Sequence, residues 1–299
     1  MTRLSLPARL MPFVMTLRGA KRRYASAELT LAKVKRDRAR PKSFAPPASL
    51  ARKTRVERRN EQGWPVYAVS PPTGSPTKRV LYLHGGANVY EIVSQHWGIV
   101  AELAVAASAR IDVAIYPLAP QGTAAACVEV CADLVEAMIA EVGAAHVTIM
   151  GDSAGGGMSL ATAMVLRDRG AAPVKVALIS PVLDLSITDP AVIELAKTDP
   201  WLDVPGARAA SELYRGELPF TDPRVSAIHG SLDDLGRIAI FTGTNDMLHA
   251  DALRLRSLAA AADHPLEWHL GHGMIHVYPL LPIPEAKPAR RALAAFVRS

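Results

Sequence analysis

Six short apolar runs recur along the chain, at 79–84 (RVLYLH), 111–117 (IDVAIYP), 146–151 (HVTIMG), 174–180 (VKVALIS), 236–243 (GRIAIFTG) and 265–270 (PLEWHL), each gap being long enough for a helix. Near-continuous apolar strands joined by helical crossovers bury both of their faces in a mostly parallel, twisted sheet with helices on both sides. The fold class that follows is α/β. Helical patterns fall at 95–108, 122–142, 154–169, 245–262 and 285–298. Before the first run, Arg55 to Asn60 and Trp64 to Ser70 read as two strands around a hairpin turn at Glu61-Gln62-Gly63.

Two stretches depart from this rhythm. Residues 1–50 read as one or two basic helices broken by Pro7, Pro12, Pro41, Pro46 and Pro47. Residues 185–225 contain no strand run but three Asp-Pro steps, which marks an excursion outside the sheet. A chain of 299 residues accommodates one large core with such appendages. No 18-residue apolar window and no signal-peptide pattern occur, so a soluble, cytoplasmic protein is expected. Cys127 and Cys131 lie four apart in an apolar helical stretch, a helix-face pair rather than a redox motif, which suits a reducing compartment.

The net charge of +6 conceals an asymmetry: residues 1–60 hold 17 basic and 3 acidic side chains, and the remainder 17 basic and 25 acidic. The basic arm offers only Phe13, Tyr24 and Phe44 for stacking and no groove-entering motif, so nucleic acid is not an expected partner. Leu4, Leu6, Leu10, Met11, Phe13, Val14 and Leu17 crowd part of that arm among Arg3, Arg9, Arg18, Lys21, Arg22 and Arg23. Such a pattern suits either a roof over a cleft, which is favoured, or contact with an anionic membrane surface.

The third run ends in Gly151-Asp152-Ser153-Ala154-Gly155, followed by a helical pattern. Small residues between strand and helix permit a sharp turn that exposes the serine hydroxyl. A hydroxyl needs a base to take its proton and a carboxylate to hold that base. Asp246 and His276 each follow the end of a later strand, with Asp251 and His272 as rivals; Asp251 reads otherwise as a solvated helix carboxylate. Gly271 and Gly273 keep His269, His272 and His276 off one helical face, so neither metal nor another cofactor is expected. The turn His84-Gly85-Gly86-Ala87 can aim N–H groups at a developing oxyanion, and Gly85, Gly86 and Ala154 are the expected donors.

His84 to Ala87, Tyr116-Pro-Leu-Ala-Pro120, Gly151 to Gly156, Ser180-Pro-Val-Leu-Asp-Leu185, Gly243-Thr-Asn-Asp-Met-Leu248 with Asp251, and Gly273-Met-Ile-His276 occur in one order over roughly residues 80–299. In this the sequence resembles the hormone-sensitive-lipase-like (bacterial family IV) carboxylesterases of the α/β-hydrolase superfamily. The resemblance implies an α/β-hydrolase core at 51–184 and 226–299, with a helical cap built from residues 1–50 and an insertion at 185–225. It implies nucleophile Ser153, acid Asp246, base His276, a bracing His84, and a short- to medium-chain ester as small-molecule substrate. The arm and Ala87, Trp201, Leu202 and Tyr214 are expected around the substrate, and a homodimer is compatible. Amides or carbamates, or silent ligand binding, are the alternatives. The sequence departs from the family pattern at Ala87, Gln121 and Val277, where the third loop glycine, a Glu and a Gly are usual.

Overall fold

Ser5 caps α1 (Leu6–Leu17), accepting the Ala8 N–H at 3.3 Å, and Ser26 caps α2 (Ala27–Ala39) through the Leu29 N–H at 3.1 Å. The structure, a computed structural model, describes residues 4–299, so Arg3 of the basic arm lies outside the described residues. Pro7 occupies the first turn of α1, where its missing N–H leaves no bond unmade. Pro12 lies inside α1 without ending it, contrary to the expected break.

The hairpin joins β1 (Arg55–Glu61) to β2 (Trp64–Ser70) through Gln62 and Gly63, both at positive φ, as a two-residue turn of this hand requires. The chain then alternates through β3 (Lys78–Leu83), α3 (Ser94–Ala106), β4 (Ala109–Ala114), α4 (Ala124–Val142), β5 (Val147–Asp152), α5 (Ala154–Asp168) and β6 (Lys175–Ile179). After α6 (Pro190–Ala196) and α7 (Val204–Arg215) it resumes with β7 (Ile238–Asn245), α8 (His249–Ala261), β8 (Leu266–Ile275) and α9 (Ala286–Arg298). The eight strands lie in the order β1-β2-β4-β3-β5-β6-β7-β8, and β2 pairs antiparallel with both neighbours while β3 to β8 run parallel. The helix expected from 245 starts only at His249, which leaves a tight turn at 246–248. β8 runs on to Ile275, beyond the expected 270, because it regains pairing with β7 past a register shift at Gly243/Asn245.

Alternate strand residues feed two apolar layers. Leu81, Leu83, Ile149, Leu178 and Ile240 face one, with α4, α5 and α8; Val80, Tyr82, Met150, Ile179 and Phe241 face the other, with α3 and α9. Phe241 is fully buried, so truncating it to Ala should cost about 3–5 kcal/mol. Cys127 and Cys131 are buried on α4; burial pushes the Cys127 thiol up to about 12 and that of Cys131 well up too, which leaves both unreactive.

The two stretches outside the rhythm meet. Asp189 and Asp203 cap α6 and α7, and α7 packs on α2: the Gly206 N–H donates to Tyr24 O at 2.8 Å. A Cβ at Gly206 would strike the Tyr24 backbone, so this crossing needs glycine. The arm and the insertion thus form one helical layer. Among the described residues no helix is long and apolar enough to cross a membrane.

Candidate active site

The turn after β5 presents Ser153 with φ +53° and ψ −119°, a conformation that is costly for any side chain and persists only where its surroundings over-determine it. Its N–H donates to Ile179 O at 2.8 Å, and its own carbonyl accepts from Gly156, Gly157 and Val182. A Cβ at Gly155 would collide with the Leu83 carbonyl, which explains the glycine beside the serine.

Three loops converge on this turn. His276, at the end of β8, places Nε2 3.0 Å from Ser153 Oγ, and its Nδ1 lies 2.9 Å from Asp246 Oδ2 in the turn after β7. His276 and Asp246 are buried. Burial alone would lower the His276 pKa, but the charge and hydrogen bond of Asp246 outweigh it and raise the pKa above its usual value. The structure therefore brings Ser153, Asp246 and His276 together, while His272 lies exposed on β8. Val277 has φ +49°, which accounts for the family's glycine there, and its N–H is held by Ser180 Oγ at 3.0 Å.

Asp251 corrects an expectation. It is buried, not solvated, and its Oδ2 accepts the Leu183 and Asp184 N–H groups at 2.7 and 3.0 Å, which fixes the chain just after β6. Burial, opposed by those two donors, raises its pKa to about 7.

Gly85 is a second correction. Its N–H donates to Asp152 Oδ1 at 3.0 Å and so is not aimed at an oxyanion. Asp152 also accepts the Tyr82 hydroxyl at 2.5 Å and faces His96 Nε2 at 3.3 Å; burial would raise its pKa, but His96 and these hydrogen bonds hold it below the ordinary carboxylate range. Among the described residues, the N–H groups of Gly86, Ala87 and Ala154 meet no protein acceptor. Gly86 has φ +125°, and a Cβ there would strike Tyr90 O, so the loop passes only with glycine at that point. His84 is fully buried, with Nδ1 2.7 Å from Gly85 O and its ring stacked on Tyr116 at 4.5 Å; the Tyr116 hydroxyl donates to His84 O at 2.6 Å. Burial lowers its pKa to about 4, so it stays neutral and braces the loop.

Ser153 separates two cavities. The larger, of about 290 Å³, is bounded by Met15 and Tyr24 from the arm, by Trp201 and Leu202 from the insertion, and by His276. The smaller, of about 40 Å³, lies between Ala87, Ala154, Leu185, Ile187, Leu202 and Met247. Trp201 packs edge-on against the His276 ring at 5.7 Å. Tyr214 belongs to neither cavity: α7 turns it inward to the apolar layer shared with α4, where burying its ring removes apolar surface from water.

Asp199 was not legible as a site residue. Buried in the insertion, its Oδ1 accepts the Trp201 and Leu202 N–H groups at 2.7 and 2.9 Å, and its Oδ2 accepts the N–H of Met247, the residue after Asp246, at 2.8 Å. Burial and then the Asp246 charge push its pKa up. Its place in an Asp-Pro step was the only signal the sequence offered.

The chain belongs to the α/β-hydrolase fold family, whose family model matches residues 80–280, and within it to the esterase and lipase branch. It is 32% identical to LipR of Mycobacterium tuberculosis over 94% of this chain and 92% of that protein. It is also 32% identical to the acetyl-hydrolase of Streptomyces hygroscopicus, over 76% of this chain and 78% of that one. The crystal structure of an esterase from the bacterial hormone-sensitive lipase family superposes with a TM-score of 0.82 at 25% identity, covering 100% of this chain and 99% of the other.

Proposed function

We propose that the protein is a serine carboxylesterase that hydrolyses short- to medium-chain esters through an acyl-enzyme. The observation that carries this is the line from Ser153 Oγ to His276 Nε2 at 3.0 Å and from His276 Nδ1 to Asp246 at 2.9 Å. On this reading His276 takes the Ser153 proton as Oγ attacks the ester carbonyl, then returns it to the departing alcohol. Water, deprotonated by the same nitrogen, releases the acid. Asp246 keeps the tautomer with Nδ1–H and stabilises the imidazolium. The N–H groups of Gly86, Ala87 and Ala154 hold the oxyanion, each contributing about 2.7–4 kcal/mol. The acyl chain enters the 40 Å³ cavity and the alcohol portion the 290 Å³ one, which favours short acyl chains. The acetyl-hydrolase relative agrees with that preference.

A fluorophosphonate should label the protein once, on the peptide containing Ser153, and abolish hydrolysis of p-nitrophenyl acetate. Ser153→Ala should fold, resist labelling and lose turnover. Labelling without loss of turnover would refute the assignment.

A further inference from the structure

Helix α1 faces the core with Ala8 and Met15, and Met15 bounds the larger cavity. Its opposite face is apolar as well. Leu6, Leu10, Phe13 and Leu17, spaced four, three and four apart, form one stripe along the helix with 64%, 49%, 62% and 72% of their surface exposed. The sequence led to the expectation that these side chains would line the cleft; they point away from it. Ordinary surface helices carry charges there, so four large apolar groups in a row require a covering surface.

Charge selects that surface. Residues 4–27 contain Arg9, Arg18, Lys21, Arg22 and Arg23 and no acid. Arg9, Arg18, Arg22 and Arg23 are exposed, and none of the four has a carboxylate partner among the described residues. A second copy docked through the same stripe would set arginines against arginines, whereas an anionic phospholipid layer answers both the apolar stripe and its cationic flanks. We propose that α1 seats the protein on an anionic lipid surface, with Leu6, Leu10, Phe13 and Leu17 entering the acyl boundary and the arginines meeting headgroups. Met15, on the opposite face of α1, bounds the larger cavity, so α1 would stand between that cavity and the lipid.

The test is co-sedimentation of the full chain with vesicles of phosphatidylcholine alone, or with about 30% phosphatidylglycerol, at low and high salt. Binding to the phosphatidylglycerol vesicles should be at least tenfold stronger (on the order of one or two flanking charges) and fade with salt. L10Q/F13Q and R9Q/R22Q should each weaken it about tenfold or more. Both variants should keep wild-type hydrolysis of p-nitrophenyl acetate, which shows that the fold and site are intact. Vesicle binding is read without turnover, so its failure is distinct from failure of the esterase assignment. Equal, negligible binding to both vesicles would overturn the proposal, as would wild-type binding by L10Q/F13Q. A dimer that L10Q/F13Q converts to monomer, without vesicle binding, would assign the stripe to a second copy instead.

Discussion

Asp199 and Met247 lie 48 residues apart, yet Oδ2 of one accepts the N–H of the other at 2.8 Å. The same carboxylate holds Trp201, whose ring abuts His276, so one buried acid ties the insertion to the turn carrying Asp246 and to the histidine. Losing it strands three backbone donors, at a cost of about 1–3 kcal/mol for each. Asp199→Ala should lower kcat by about 10- to 100-fold at little-changed KM if those strains reach the triad. Asp199→Asn, which keeps one acceptor but loses the charge that helps raise the His276 pKa, should move the acid limb of the pH profile downward. An unmoved limb with wild-type kcat would show that Asp199 is only a fold element.

The pH dependence follows from His276. On the proposed mechanism the base must be neutral to take the Ser153 proton, and the His276 pKa is raised, so kcat/KM should rise with pH through a midpoint above the usual histidine value of about 6.5. Asp246→Asn should lower that midpoint and cut kcat by about 10⁴-fold. His276→Ala should remove turnover, while His272→Ala, an exposed change on β8, should leave it near wild type.

Asp251 predicts a change in stability rather than rate. Its folded pKa of about 7 exceeds the unfolded value of about 3.9, so between these pH values the native state binds the extra proton. Stability from this group is therefore full below about pH 4 and falls as pH rises towards 7. Asp251→Asn keeps an acceptor for Leu183 and Asp184 and carries no charge, so its denaturation midpoint should gain on wild type across that window. Parallel curves would mean that Asp251 ionises as freely in the fold as outside it.

Leu185 closes the small cavity. Leu185→Ala should raise the hexanoate-to-acetate ratio of kcat/KM by about tenfold, a few methylenes' worth of contact, while costing about 2–5 kcal/mol of stability. An unchanged ratio would place the acyl chain in the larger cavity.

The strands, the mostly parallel sheet and the three loops that converge on Ser153 were legible because period and loop position determine them, while the strand order was not. Tyr214 was misplaced because a helix of mixed composition does not reveal in sequence which neighbour its aromatic residue will meet. Gly85 was misassigned as an oxyanion donor: it offers an N–H, but only the fold shows Asp152 taking it. Asp199 escaped notice because its partners lie in three segments, and an Asp before Pro reads as a local turn. Asp251 read as solvated because a helix carboxylate usually is; the N–H groups that it accepts come from the segment after β6.

Ser5, at the first cap of the chain, donates both its N–H and its hydroxyl to the carboxylate of Glu285, just ahead of α9. Helix α1 is thus clasped by a residue 280 positions further along the chain. During synthesis this clasp cannot form until residue 285 has been made, long after the helix it holds. A contact of such sequence separation adds to the folding time and lengthens the interval in which the nascent chain can associate wrongly. The clasp on α1 and the α9 side of the core therefore complete together, because both need the segment around residue 285.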